Sequence, residues 1–225
     1  MNAFSIAIDG PSGAGKSTAA KAVARELGFM YLDTGAMYRT IGLYMLRQGV
    51  ALDDAETILR RLPEADIEVR FVDGEQKMFL NGEDVSAAIR TPEGSAAASR
   101  VSVIPEVRAK MVEMQQHIAA DNDVVMDGRD ICLYVLPNAQ LKLFLTASAE
   151  ERARRRWLER KEQGSEQTYE EVLRDVIERD ERDSQRAASP LEKAPDAVEI
   201  DSSDMSLEEV VAEIIRLAKE RMERP

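Results

Sequence analysis

Residues 10–18 read Gly10-Pro-Ser-Gly-Ala-Gly-Lys-Ser-Thr18, with Gly10, Gly15, Lys16 and Ser17 at the spacing G-x-x-x-x-G-K-[ST]. A loop of that spacing turns its backbone N–H groups around the phosphates of a nucleoside triphosphate. The flanks agree with it. The apolar run at residues 4–9 predicts a strand. The Ala-rich stretch at 18–27, with Lys21, Arg25 and Glu26 on its polar face, predicts a helix. Strand, glycine loop and helix in that order put an anion at a helix N-terminus, where free N–H groups and the helix dipole favour it. Glycines let the backbone approach phosphate closely and reach positive φ. Lys16 can place its charge on the β- and γ-phosphates, and the Ser17 hydroxyl can hold Mg²⁺. The predicted triphosphate set is Gly10, Pro11, Ser12, Gly13, Ala14, Gly15, Lys16, Ser17 and Thr18. An ordinary Gly/Ser turn that happens to contain a lysine does not need all four fixed positions and both flanks.

The chain has 225 residues, a length that suits one domain with inserted subdomains. Its formal net charge of −12 argues against non-specific binding to nucleic acid or membrane surfaces. A protein with this charge and polyanionic ligands must concentrate its arginines locally. The single cysteine, Cys132, excludes an internal disulfide, and its neighbours Ile131 and Leu133 predict a small buried residue. No apolar run reaches membrane-spanning length, and the first strand begins without the basic and apolar regions of a signal peptide. These features predict a cytoplasmic protein, and a monomer is expected.

After the first strand and helix, residues 29–32 predict a second strand, and Asp33-Thr-Gly-Ala36 opens a helix to about Gln48. A short helix follows at 53–62, ended by Pro63. The apolar period then changes from 3.6 to 2. Residues 67–72, 77–80 and 83–85 alternate as antiparallel strands, separated by Asp73-Gly74 and Asn81-Gly82, which are strong hairpin signals. Residues 63–90 therefore read as a small β-meander inserted into an α/β domain. Helices are predicted at 93–103 and 106–120, and buried parallel strands at 123–127 and 140–146. Ser148, Thr168 and Ser206 each stand three residues before a glutamate, the pattern of a capping box. These boxes open helices from Ala149, from about 169 towards Ala187, and at the C-terminus, with a last short strand at 197–201. The alternation of β and α implies a mostly parallel sheet with helices on both faces, and the phosphate loop lies at the carboxyl end of a strand.

The arginines are unevenly placed. Arg152, Arg154, Arg155, Arg156, Arg160 and Lys161 crowd one predicted helix, while Arg179, Arg182 and Arg186, three and four apart, share a face of the next. Between these helices, Gln163-Gly-Ser-Glu-Gln167 is polar enough for a moving lid, which would keep water from the γ-phosphate. Arg154, Arg160 and Lys161 are expected to pair with interleaved carboxylates on the surface. Arg179 and Arg186 are expected to clamp an oxyanion. Asp127-Gly-Arg-Asp130 follows a strand, which places Asp127 behind a Mg²⁺ held by Ser17 and turns Arg129 into the same crevice. Asp33-Thr34-Gly35, followed by Tyr38 and Arg39, could bind an acceptor phosphate. The one histidine, His117, lies mid-helix and reads as exposed and structural. No general base stands at an obvious place. A hydroxyl acceptor needs its proton removed, whereas a phosphate with a second pKa near about 6 is already largely ionised at neutral pH.

The residues Ile8-Asp-Gly-Pro-Ser-Gly-Ala-Gly-Lys-Ser-Thr18, Leu32-Asp-Thr-Gly-Ala-Met-Tyr-Arg39, Val85 with Ile89-Arg-Thr91, Ser99, Val107-Arg108, Asp127-Gly-Arg-Asp130, Glu150-Glu-Arg152 and Glu178-Arg-Asp-Glu-Arg-Asp183 with Arg186 together resemble the bacterial cytidylate kinase family, essentially end to end. The resemblance implies a P-loop kinase core with a parallel sheet and helices on both faces. It adds an inserted antiparallel β-meander as part of a monophosphate-binding region (roughly 34–105) and a helical lid (roughly 152–170), in a single nucleoside monophosphate kinase domain. It implies transfer of the γ-phosphoryl group of ATP to CMP or dCMP with Mg²⁺. Carried over by position, Thr34, Arg39, Arg108, Arg129 and Arg186 would hold the CMP phosphate. Ser99, Arg108 and Asp130 would read cytosine, and Arg179 and Asp183 would hold the ribose hydroxyls. Arg155 and Arg156 would reach the ATP phosphates from the lid, and Lys16, Arg129, Arg155, Arg156 and Arg186 would carry catalysis. After Asp130 this chain has Ile131-Cys-Leu-Tyr134, where the family usually has glycine and small residues, so the packing beside the base pocket should differ.

Two alternatives use the same loop. A shikimate-type kinase would place a Gly-Gly run in its acceptor site, and the chain has no Gly-Gly pair. A nucleotide-dependent switch reading guanine would carry Asn-Lys-x-Asp, which is absent.

Overall fold

A computed structural model describes residues 3–223 apart from 163 and 187. Five parallel strands form the main sheet: β1 (Ser5–Asp9), β2 (Met30–Asp33), β6 (Val124–Asp127), β7 (Leu141–Thr146) and β8 (Val198–Asp201), in the order β2-β6-β1-β7-β8. Every residue of β1 is buried, as a strand covered on both faces requires. Alternation divides its side chains between two cores. Ile6 and Ile8 face α1 (Lys16–Leu27) and α8 (Leu207–Met222), against Val23 and Ile214. Ala7 faces the opposite way, with Leu32 and Met126, towards Met37 and Ile41 of α2 (Thr34–Arg47) and Val107 and Met111 of α5 (Pro105–Ala120).

The register sets the site. Ile8 lies opposite Asp127 and Asp33 opposite Asp127, so β1, β2 and β6 end level with one another. The phosphate loop, the start of α2 and the Gly128-Arg-Asp130 turn thus leave the sheet side by side at its carboxyl edge, where ligands bind in open α/β folds.

The meander is a separate three-stranded antiparallel sheet of β3 (Ile67–Val72), β4 (Glu75–Leu80) and β5 (Glu83–Asp84). Asp73 and Gly74 have φ of 53° and 78°, and Asn81 and Gly82 have 49° and 82°. Positive φ at both central residues gives the turn whose twist suits a two-residue hairpin. Ile67, Met78 and Leu80 point into the core shared with α2.

The short helix α3 (Ala55–Arg61) ends in a single 3₁₀ turn at Leu62–Glu64, and α4 (Pro92–Val101) runs onto α5. The capping boxes at Thr168 and Ser206 both form. The one at Ser148 is only half formed. Ser148 Oγ accepts from Glu151 N at 3.2 Å, but Ser148 N–H donates to Ser203 Oγ, and the Glu151 carboxylate is taken by Arg154 and Arg155. Helices α6 (Ala149–Glu162) and α7 (Tyr169–Gln185) form a hairpin around Ala153, Val172 and Val176, with Trp157 edge-on to Tyr169. Gln163, at the start of the expected lid loop, and Ala187, towards which α7 was expected to run, lie outside the described residues. Among the described residues no helix is long and apolar enough to cross a membrane.

Gly42 marks where α2 crosses α4. A Cβ there would stand 2.7 Å from Ala97 Cβ and 3.1 Å from the Ala97 carbonyl carbon. Gly42→Ala gains about 1 kcal/mol of helix propensity but overpacks backbone against backbone, which costs about 1–3 kcal/mol. The melting temperature of Gly42→Ala is therefore expected to fall, and a rise would mean that the two helices can move apart freely.

Candidate active site

One open crevice of about 2140 Å³ runs along the carboxyl edge of the sheet. One end is the glycine-rich loop at residues 10–18. Gly13 and Gly15 have φ of 83° and 85°, and Gly10 has φ of 147°. A Cβ on Gly10 would lie 2.0 Å from the Leu145 carbonyl oxygen, so only glycine lets β1 turn into the loop beside β7. Ser12, Gly13, Gly15, Lys16, Ser17 and Thr18 face the crevice. Gly10, Pro11 and Ala14 are buried beneath it and shape the loop without facing the crevice. Lys16 folds its ammonium onto the Pro11 carbonyl at 2.7 Å. Burial lowers its pKa well below the usual lysine value, and Arg129 lowers it further.

Asp127, at the end of β6, accepts from Ser17 Oγ at 2.8 Å and from the Tyr31 hydroxyl at 2.9 Å. Burial and the nearby Asp33 raise its pKa. A hydroxyl and a carboxylate at contact distance are hard oxygen donors of the kind Mg²⁺ takes. Among the described residues no three His, Cys, Asp or Glu side chains cluster as a metal site. This pair would therefore supply only part of the shell of an ion that arrives with phosphates.

The other end is built of arginines held by aspartates. Asp33 caps α2 through the Ala36 N–H at 2.9 Å and holds Arg39 at 2.7 Å. Asp130 pairs with Arg108, and Arg186 stands 3.9 Å from it. Asp183 binds Arg129 at 2.9 Å and has Arg179 at 4.0 Å. Burial raises the Asp183 pKa, but Arg129 and Arg179 outweigh it, and the net shift is downward. Despite these partners, Arg39 Nε, Arg179 Nε and Arg186 Nη2 are buried and make no hydrogen bond among the described residues. Burial and Arg129 push Arg179 down to about 9, and burial and Arg108 lower Arg186. Cations crowded together in this way make a site of positive potential suited to an anion.

The amino-acid sequence aligns with the cytidylate kinase family over residues 6–220. It is 50% identical over 217 residues to a cytidylate kinase of Caldicellulosiruptor bescii, covering 96% of each chain. It is 50% identical over 218 residues to a cytidylate kinase of Desulfitobacterium hafniense, covering 97% of this chain and 94% of that one. The chain belongs to the cytidylate kinase family. In shape it also resembles a protein of Eubacterium ventriosum described as uncharacterized, with a TM-score of 0.51 at 15% identity over 96% of this chain and 98% of the other, a likeness of fold alone. Family membership makes the chain a nucleoside monophosphate kinase, a phosphotransferase.

The kinase brings its sequence-predicted residues together with few exceptions. Arg39, Arg108, Arg129, Arg179 and Arg186 share the crevice with Lys16, as do Thr34, Ser99, Asp127, Asp130 and Asp183. The Thr34 hydroxyl donates to the Asp127 carbonyl at 2.7 Å. Arg156 reaches the donor loop, with Nη1 3.3 Å from Ser12 Oγ. Arg155 also faces the crevice, but its guanidinium is bound to Glu151 at 2.8 Å and to the Ser202 carbonyl at 2.6 Å. The expected face of Arg179, Arg182 and Arg186 does not hold. The helix stops at Gln185, Arg186 is extended at ψ of 139°, and exposed Arg182 donates to the Glu178 carbonyl. Arg154 pairs with Glu151 as expected. Arg160 does not lie on the solvated surface but is half-buried, facing the crevice and bound to Asp175 of α7 at 3.2 Å, and Lys161 lies 4.8 Å over the Trp157 ring. His117 is exposed on α5.

Two positioning groups escaped the sequence reading. Arg152 is buried and donates to the Ala147 carbonyl at 2.8 Å and the Ser12 carbonyl at 3.1 Å, and it binds Asp180 at 2.7 Å, locking the phosphate loop to α6 and α7. Its place in a run of arginines hid it. Asp9, just before the loop, accepts from Ile131 N and Cys132 N at 2.8 Å each. It thereby holds the single π turn at Ile131–Val135 that follows Asp130. The turn buries Cys132 as predicted, and nothing in its apolar residues signals a π turn.

Burial, with Asp130 adding to it, raises Asp9 from 3.8 to about 6 against the pull of the two N–H groups. A carboxyl whose folded pKa lies above its unfolded value stabilises the fold fully below 3.8 and loses that contribution as pH rises through about 6. At 1.36 kcal/mol per unit the loss is at most about 3 kcal/mol. Urea melts from about pH 4 to pH 7 should show stability falling more steeply with pH in the native chain than in Asp9→Asn. Parallel curves would show that Asp9 keeps its ordinary pKa.

Proposed function

We propose that this crevice transfers the γ-phosphoryl group of ATP to CMP or dCMP by holding two anionic nucleotides against fixed cations, with no side chain removing a proton. The single observation that carries the reading is the meeting of Lys16 with Arg39, Arg129, Arg179 and Arg186 in one crevice, with partnerless buried N–H groups on Arg39, Arg179 and Arg186. Family membership across residues 6–220 carries the substrate pair.

Each residue then has a task. The N–H groups of residues 12–18 and Lys16 hold the ATP phosphates, and Ser17 with Asp127 would hold Mg²⁺. Held there, Mg²⁺ would supply charge neutralisation for the ATP phosphates. Thr34, Arg39, Arg108, Arg129 and Arg186 hold the phosphate of CMP. Arg129 is bound to Asp183 at 2.9 Å and shares the crevice with Lys16, whose pKa its charge lowers, so it would span donor and acceptor. Ser99, Arg108 and Asp130 read cytosine, whose exocyclic amino group donates to a carboxylate. Arg179 and Asp183 take the ribose hydroxyls. Arg156, over Ser12, stabilises charge on the transferring group, and Arg155 joins it when the hairpin of α6 and α7 closes and frees it from Glu151. Closure would expel water that could otherwise take the phosphoryl group. Asp33, Asp130 and Asp183 are engaged with arginines, and an ionised phosphate acceptor needs no base. Preorganised charge in a loose transition state is then the source of rate. We place the reaction in the cytoplasm, on a single chain that itself supplies every residue assigned here.

With ATP and Mg²⁺, a panel of monophosphates assayed by coupled ADP release should show CMP and dCMP turning over far faster than UMP, AMP or GMP. Equal rates across the panel would remove the cytosine assignment, and turnover of shikimate instead would favour the hydroxyl-acceptor alternative. Asp130→Ala should raise KM for CMP about tenfold to a hundredfold, the worth of one base-reading carboxylate, while KM for ATP stays near its native value. A rise for ATP without one for CMP would place Asp130 on the wrong nucleotide.

A further inference from the structure

The inserted sheet lines one end of the crevice, and the Gln76 side chain bonds it to the end of β2. Gln76 of β4 accepts from Asp33 N through Oε1 at 2.7 Å and donates to the Asp33 carbonyl through Nε2 at 3.2 Å. Asp33 N can only donate, which fixes the direction of the amide. Asp33 ends β2, the edge strand of the main sheet, whose outward backbone groups have no neighbouring strand. The Gln76 amide supplies the donor and acceptor that such a strand would give. Asp33 is in turn the hub of the local charges. Its carboxylate starts α2 through Ala36 N, holds Arg39 at 2.7 Å and lies 3.7 Å from Arg90, the last residue of the insert.

We propose that Gln76 is a positioning residue for the acceptor phosphate, fixing the Asp33 backbone so that its carboxylate presents Arg39 to the incoming monophosphate. The inference rests on the acceptor role given to Arg39 above. Through this link the seating of the inserted sheet sets the geometry of a phosphate-binding arginine on another element.

The test compares Gln76→Ala and Gln76→Glu with the native chain in steady-state kinetics and in amide exchange followed by mass spectrometry. Loss of two neutral hydrogen bonds should raise KM for CMP about tenfold in Gln76→Ala, with KM for ATP changed less than about twofold. Exchange should quicken in peptides covering 30–39 and stay native in those covering β1 and β6. Gln76→Glu keeps the acceptor, loses the donor and adds a charge facing a carbonyl, so it should do no better than Gln76→Ala. An unchanged KM for CMP, a joint rise for CMP and ATP with exchange quickened across the sheet, or a native-like Gln76→Glu would each overturn the proposal. A native chain that ignores CMP would defeat the acceptor assignment instead. Unchanged protection at 30–39 in Gln76→Ala would then overturn the positioning role by itself.

Discussion

Mutual repulsion among the cations at the carboxyl edge of the sheet is the constraint that organises this molecule. A chain with a net charge of −12 gathers Lys16, Arg39, Arg108, Arg129, Arg179 and Arg186 into one crevice. Left alone they would push apart. Asp33, Asp130 and Asp183 hold them, each carboxylate bound to one guanidinium with another within 4.0 Å. The aspartates do not neutralise the set, since partnerless N–H groups and depressed arginine pKa values persist. The residual positive potential is of the sign that suits phosphates.

The sheet makes this arrangement achievable. Because β1, β2 and β6 run parallel and end in register, three loops carrying opposite duties emerge within reach of one another. Buried polar links then fix the loops. Asp9 ties the start of the phosphate loop to the turn after Asp130, Arg152 ties the loop to α6 and α7, and Thr34 ties α2 to the end of β6. Each link spans a long stretch of chain, so the geometry depends on the whole fold.

Much of this was legible in the sequence because the deciding signals are local. The glycine spacing at 10–18, the two hairpin dipeptides and the capping boxes at Thr168 and Ser206 each act over a few residues, and each formed as read. What stayed hidden was set by contacts distant in the chain. Ser148 lost half its box because Arg154, Arg155 and Ser203 compete for the same groups. Arg186 left the expected helical face because α7 ends one residue earlier. The π turn at Ile131–Val135 depends on a carboxylate more than a hundred residues away. Arg155 was legible as a crevice residue, but not its bonds to Glu151 and Ser202.

If fixed cations alone let the phosphoryl group cross, no proton moves in the chemical step. Single-turnover transfer from Mg²⁺-ATP to CMP, followed by rapid quench in light and heavy water at a pH where the acceptor phosphate is fully ionised, reads this directly. The account predicts the same rate in both solvents. A pronounced slowing in heavy water would show a proton in flight, and with it a general base that this arrangement of arginines was held to make unnecessary.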